Sequence, residues 1–373
     1  VALALWCLTA DPAWAQPAEP LRVLLFEAAQ AIEVRGVDGA RQRVEADEGG
    51  GLRVDGVRRA APARWRAEGP EGTLTVGRAD HPGSEDWRVR GELEVRRTPR
   101  GLTAINVLSI EDYLVPTVAA EMSPTWEIEA LRAQAVASRT YALHQRLVRA
   151  GQPYDVRADT ASQRYRGVVD ESPSVRRAVE STRSCRLIRR GQPIVAAFHS
   201  SSGGRTASAE EVWGRPLDYL VSLEVEGEDI SPETYWRVVL PGATLRRALQ
   251  GAGWETGTPE AVRILSRSQS GRVSRLRVEG SRGSAEMSGR ELRRAVGETV
   301  LRSTHFSVRP TDRGAFVFAG TGYGHGVGMS QWGARAMAAR GVGHEDILAT
   351  FYPGTQLSGC DGMPAVALEG ESR

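Results

Sequence analysis

Between positions 127 and 149 the chain carries a helical pattern whose alanines, Ala130, Ala133, Ala135, Ala137 and Ala142, allow another backbone to approach closely. A helix this smooth belongs at the centre of a core, and the rest of the fold has to wrap it. Thr125 opens it as an N-cap, with Glu127 and Glu129 at the favourable end of the helix dipole. Arg132 and Arg139, seven residues apart, lie on one face. Upstream, Ser109 and Asp112 form a capping box for a helical region that ends near Glu121. Pro116 falls inside that region, which predicts either a kink or two short helices.

Before this helical region the pattern is different. Residues 21–26, 31–34 and 73–76 read as short strands, and Trp87, Val89, Leu93 and Val95 alternate cleanly. Residues 45–70, rich in Gly, Arg and Ala, read as surface loops. Further on, a helix is expected around 174–181 and a strand at 195–198. A unit over 245–308 reads as helix, strand pair (263–265 and 273–278) and helix. The amphipathic segment 334–340 and residues 345–351 close the informative part. These elements predict the α+β class. The expected parts are a signal remnant at 1–15, a β-rich region at 16–100, a main domain at 101–360 with an α/β subdomain near 240–310, and a tail at 361–373.

Charge excludes little by itself: 48 basic against 46 acidic residues leave a net charge of +2, which gives no reason to expect nucleic acid. Every basic residue is Arg, so a Schiff-base Lys or a Walker-type phosphate Lys is ruled out. The apolar first residues followed by Ala13-Trp14-Ala15 fit the end of a secretory signal, so export to the periplasm or cell envelope is expected. No later apolar run reaches the roughly 18 residues of a membrane span. Cys185 and Cys360 can pair in an oxidising compartment or stand as separate thiols.

Three constellations can carry chemistry. Glu121 follows the apolar Val118-Ala119-Ala120, so it reads either as a general acid or as an ion-pair partner for Arg132 or Arg139. The run Gly320 to Gly333 places six glycines around His325. It fits no P-loop, and it is either a surface whose His325, Ser330 and Gln331 bond sugar hydroxyls or a structural turn over Trp332. His199 with Ser200, Ser201 and Ser202 lacks the G-x-S-x-G elbow of a serine hydrolase. His344-Glu345 lacks the second His of a zinc motif, so neither metal nor cofactor is expected.

Several segments together resemble the SpoIID/LytB domain family: residues 107–114, Ala119-Ala120-Glu121-Met122, and residues 129–141. The order continues through Asp159-Thr160, Gln163, Tyr165, residues 199–206, Trp213-Gly214, Tyr219-Leu220 and residues 324–331. The resemblance spans about 21–357. It implies a SpoIID-like fold and places Glu121 on the family's catalytic Glu, which in lytic members cleaves the MurNAc–GlcNAc bond of glycan strands stripped of stem peptides. It also implies substrate-binding roles for Arg132, Gln134, Arg139, His199, Ser200, Ser201, Tyr219, His325, Ser330 and Gln331. Ser123 stands where the family usually has Pro. Residues 161–164 offer neither Cys nor His for the zinc that some members hold, and a usual Gly shortly after Thr182 is absent. The family's other class, the amidase enhancers, implies a second reading: a wall-binding partner of a cell-wall amidase that does not itself cut.

Overall fold

In the computed structural model of this 373-residue chain, residues 20–36, 39–68, 72–81, 86–159, 162–169, 171–232 and 234–360 are described. The expected signal remnant, Thr160 and the tail lie outside the described residues. The chain divides into two compact units. One takes in the described residues up to Glu121 together with Ala142–Arg176, and the other holds Met122–Tyr141 and the chain from Arg177 onward.

The first unit is built on two sheets. A five-stranded sheet runs Val156–Arg157, Leu21–Ala29, Gly101–Leu108, Glu92–Thr98, Ala63–Arg66, antiparallel except for its first pair. Gly101–Leu108 sits in the middle, which is why it is apolar at almost every position instead of alternating. A six-stranded sheet runs Val57–Arg59, Leu52–Val54, Arg41–Ala46, Ala31–Arg35, Leu74–Arg78, Trp87–Val89. The expected loops at 45–70 are therefore corrected: three short strands lie within them, and Arg41–Ala46 reaches into them. Each of the three is only three or four residues long, so the alternation of Leu52-Arg53-Val54 and of Ala63-Arg64-Trp65-Arg66 is too short to stand out. Helix α1, Ile110–Glu121, follows the central strand and is continuous through Pro116. Ser109 caps it, its Oγ accepting the Asp112 amide at 3.1 Å.

Helix α2, Ile128–Val148, belongs to the second unit up to Tyr141, and its five alanines have no solvent exposure. Short helices α3, Pro173–Ser181, and α4, Ala209–Trp213, follow. Two three-stranded sheets then appear, Tyr235–Pro241 with Ala315–Thr321 and Phe306–Pro310, and Pro259–Arg267 with Val273–Gly280 and Gly283–Met287. With α5, Gly242–Gly251, and α6, Gly289–Val296, they enclose a core of Trp236, Leu240, Leu276, Phe306, Phe316 and Phe318. The third strand of the second sheet was not expected. It is joined through a tight turn at Ser281-Arg282 and carries few apolar residues. Helices α7, Gln331–Ala339, and α8, His344–Phe351, lead to the strand Gln356–Ser358. That strand pairs with Arg186–Arg189, and a disulfide joins Cys185 to Cys360 beside it. Among the described residues no helix is long and apolar enough to cross a membrane.

Candidate functional site

Glu121 is the last residue of α1, half-buried, and its Oε1 accepts the backbone N–H of Arg164 at 2.9 Å. The segment carrying Arg164 is locked on both sides. Tyr113 Oη donates to Gln163 Oε1 at 2.9 Å, and Tyr165 Oη donates to Asn106 Oδ1 at 2.7 Å. Asn106 in turn spends its amide on the carbonyls of Arg90 and Glu92. Tyr113 and Tyr165 stack at 5.3 Å, and burial pushes the Tyr165 phenol far up, so Tyr165 acts as a neutral strut. The result is one carboxylate held at a helix end by a scaffold tied to the central strand.

In the second unit the two polar motifs meet backbone to backbone. Ser201 and Tyr323 exchange hydrogen bonds at 3.0 and 2.8 Å, and Phe198–His199 pairs in parallel with Met329–Ser330. The glycines permit this. Gly328, at φ +72°, lies so close to the Ala197 carbonyl that a Cβ there would sit 2.0 Å from the oxygen. His199 is 4% exposed and donates Nδ1–H to the Val327 carbonyl at 3.1 Å. His325 accepts the Val327 amide on Nδ1 at 3.0 Å, and its ring lies 5.6 Å from that of His199 and 5.9 Å from that of Trp213. Burial and the Arg272 charge press His199 down to about 3; burial, His199, Arg293 and Arg272 do the same for His325. Both rings are neutral at ordinary pH. Buried His199 Nε2 and Ser201 Oγ have no hydrogen-bond partner among the described residues.

The remaining expected contacts are placed differently. Ser330 has no exposure and caps α7, accepting the Gly333 amide at 3.2 Å. Gln331 Nε2 faces Gln134 Oε1 at 3.5 Å, both side chains buried. Arg139 is 1% exposed and donates to the carbonyls of Cys185 and Val179. These groups support the loops from inside. Arg132 is partly open and donates to Glu129 at 2.6 Å and to Ser181 at 3.0 Å. Tyr219 Oη accepts the Val195 amide at 3.2 Å beside a 600 Å³ cavity that Pro193, Ile194 and Leu217 also line; burial raises its phenol. Of the expected residues, Glu121, Arg132, Ser200 and His325 reach solvent in part.

Sequence reasoning missed Glu228 and Arg272. The Glu228 carboxylate is 3% exposed and accepts Ser202 N at 2.8 Å, Ser202 Oγ at 2.5 Å, Gly204 N at 2.8 Å, and the Ser330 hydroxyl. Arg272, equally buried, donates to the Ser202 and Arg205 carbonyls at 2.8 and 2.9 Å, and burial brings it down to about 10. Neither lies in a recognisable motif, so only the fold reveals that they hold the polar hexad. Among the described residues no group of three or more His, Cys, Asp or Glu could hold a metal ion.

Residues 98–188 match the family described as Stage II sporulation protein (SpoIID), and residues 224–328 match a domain of unknown function. An uncharacterized protein of Brachyspira hyodysenteriae is 33% identical over 69% of this chain and 68% of its own length. The amidase enhancer of Bacillus subtilis is 31% identical over 64% of this chain, but only 39% of that protein is covered. Stage II sporulation protein D of Bacillus subtilis is 29% identical over 69% of this chain and 77% of its own length. With the motifs in order, a family match over α1 and α2, and relatives of this kind, the chain belongs to the SpoIID/LytB family.

Proposed function

We propose that this protein works on the cell wall, binding peptidoglycan glycan strands and cleaving them as a lytic transglycosylase. The observation that carries this reading is Glu121: a single carboxyl group, half-open, mounted by the Arg164 amide on a rigid scaffold at the position the family resemblance gives to the catalytic Glu. One carboxyl suffices for the chemistry. As an acid it gives its proton to the glycosidic oxygen as the bond to MurNAc C1 breaks. As the resulting carboxylate it takes the proton of the MurNAc C6 hydroxyl while O6 bonds to C1. The proton returns to Glu121, no water is consumed, and the product is a 1,6-anhydro end. The partly open His325 and Ser200, backed by buried His199 and Ser201, are the groups in the second unit suited to sugar hydroxyls.

Export to the periplasm or envelope is part of the proposal. The Cys185–Cys360 disulfide supports it, because such bonds persist in oxidising compartments. The enhancer relative supports a second reading, in which the protein binds the wall beside an amidase and cuts nothing. The deciding experiment incubates the protein and Glu121→Gln with glycan, with and without stem peptides, and reads products by mass spectrometry. Anhydro-MurNAc ends made by the wild type and lost by about 10² or more in Glu121→Gln support the enzyme. Strand binding without product supports the enhancer.

A further inference from the structure

The first unit holds a cavity of about 1030 Å³ on one face of its five-stranded sheet, and the cavity is lined by arginines and carboxylates. Arg64 and Arg66 stand on the outer strand, opposite Glu94 and Glu92 on the next strand, with Arg96 on the same face. Three guanidinium groups thus share two carboxylates. Glu94 takes Arg64 at 2.7 Å and also Arg96, while Glu92 takes Arg64 and Arg66 at 3.4 Å. The carboxylates lie underneath and the cations on top. The Glu94 and Glu92 side chains are 4% and 19% exposed, against 56%, 80% and 36% for Arg64, Arg66 and Arg96. Each guanidinium carries five N–H donors, more than these contacts use.

Ala63–Arg66 is also the edge of its sheet, with a paired strand on one side only. A strand edge offers backbone donors and acceptors that a peptide can continue. On an added strand, side chains two residues apart share a face at about 6.7 Å, the spacing that Arg64 and Arg66 themselves have. Among the described residues no aromatic side chain lines the cavity to stack on a sugar or a base.

We propose that this cavity and edge form a docking site for an extended acidic segment of another protein, with carboxylates at alternate positions, which adds to Ala63–Arg66 and places them on Arg64, Arg66 and Arg96. The site is separate from the glycan chemistry proposed for Glu121, and its binding is measured with no glycan present. The probe is a labelled eight-residue Thr-Glu repeat, followed by fluorescence anisotropy at low and high salt. A Thr-Gln repeat, a wall stem peptide and an oligonucleotide of equal charge are run beside it. The expected result is salt-sensitive binding of the Thr-Glu repeat, weaker by tenfold or more in Arg64→Gln/Arg66→Gln. Melting curves check that the variant is folded, and Arg66→Gln alone, with its largely exposed side chain, gives a second reading. The stem peptide is expected not to compete, the partner being an acidic protein segment; competition by it would overturn the proposal. Equal binding of the neutral repeat or of the oligonucleotide, an unchanged affinity in both variants, or no binding at low salt would overturn the proposal. The arginines would then only guard the sheet edge.

Discussion

His199 gives its Nδ1 proton to the carbonyl of Val327 at 3.1 Å, which leaves Nε2 as a buried acceptor with no hydrogen-bond partner among the described residues. The ring is kept neutral by burial and by Arg272, as His325 is by burial and its charged neighbours. Both therefore have folded values near 3, against about 6.5 in the unfolded chain.

That shift has a sign. Between about pH 3 and 6.5 the unfolded chain binds protons that the folded one refuses, so stability is complete above 6.5 and falls as the pH drops. Each ring contributes a slope of at most about 1.4 kcal/mol per pH unit. Urea unfolding of the wild type should lose stability from pH 6.5 to 4, and His199→Gln should show a shallower slope. Parallel slopes would mean that His199 is not buried neutral.

Glu228 is expected to be among the most sensitive positions of the second unit. Glu228→Ala strands the donors of Ser202, Gly204 and Ser330 in the interior, a loss on the order of 3–5 kcal/mol. Glu228→Gln keeps one acceptor oxygen and should lose less. Denaturant midpoints of the two variants give the comparison; equal and small losses would refute the assignment.

The glycines should separate by what surrounds them. Gly328→Ala meets the Ala197 carbonyl at 2.0 Å in addition to a left-handed backbone. Gly204→Ala, at φ +95° with nothing within 4 Å of the new Cβ, bears only the conformational cost of about 1–2 kcal/mol. Melting temperatures should fall several-fold further for the former. Similar drops would show that the backbone contact relaxes freely.

Reduction should matter for the end of the described chain. The Cys185–Cys360 bond spans 175 residues and ties down the strand Gln356–Ser358. Breaking it is expected to cost about 2–5 kcal/mol. Thermal melts with and without reductant, compared with Cys360→Ser, measure this; a reductant effect that persists in the variant would contradict it.

Local order was largely legible in the residues. The alanine spacing of 130–142, the Ser109 cap and the alternation through Trp87 to Val95 each reappear as helix, cap and strand, because these patterns act within a few residues. The short strands between 45 and 66 were not legible, since three or four residues are too few to show a period and their pairing is set by neighbours elsewhere in the chain. Within the candidate site, the sequence singled out Glu121, His199, His325 and Ser330 by residue type and neighbourhood. It carried no sign of Glu228, Arg272 or the Arg164 amide.

The sequence by itself determined the helices α1 and α2, that no Lys-based chemistry is available, and which family the ordered motifs resemble. The tertiary structure alone decided which polar groups are spent inward. Ser330 and Arg139 close buried hydrogen bonds to Glu228 and to the Cys185 and Val179 carbonyls. The physical reason is that burying a polar group demands a partner, and that partner is chosen by three-dimensional neighbours tens to hundreds of residues away.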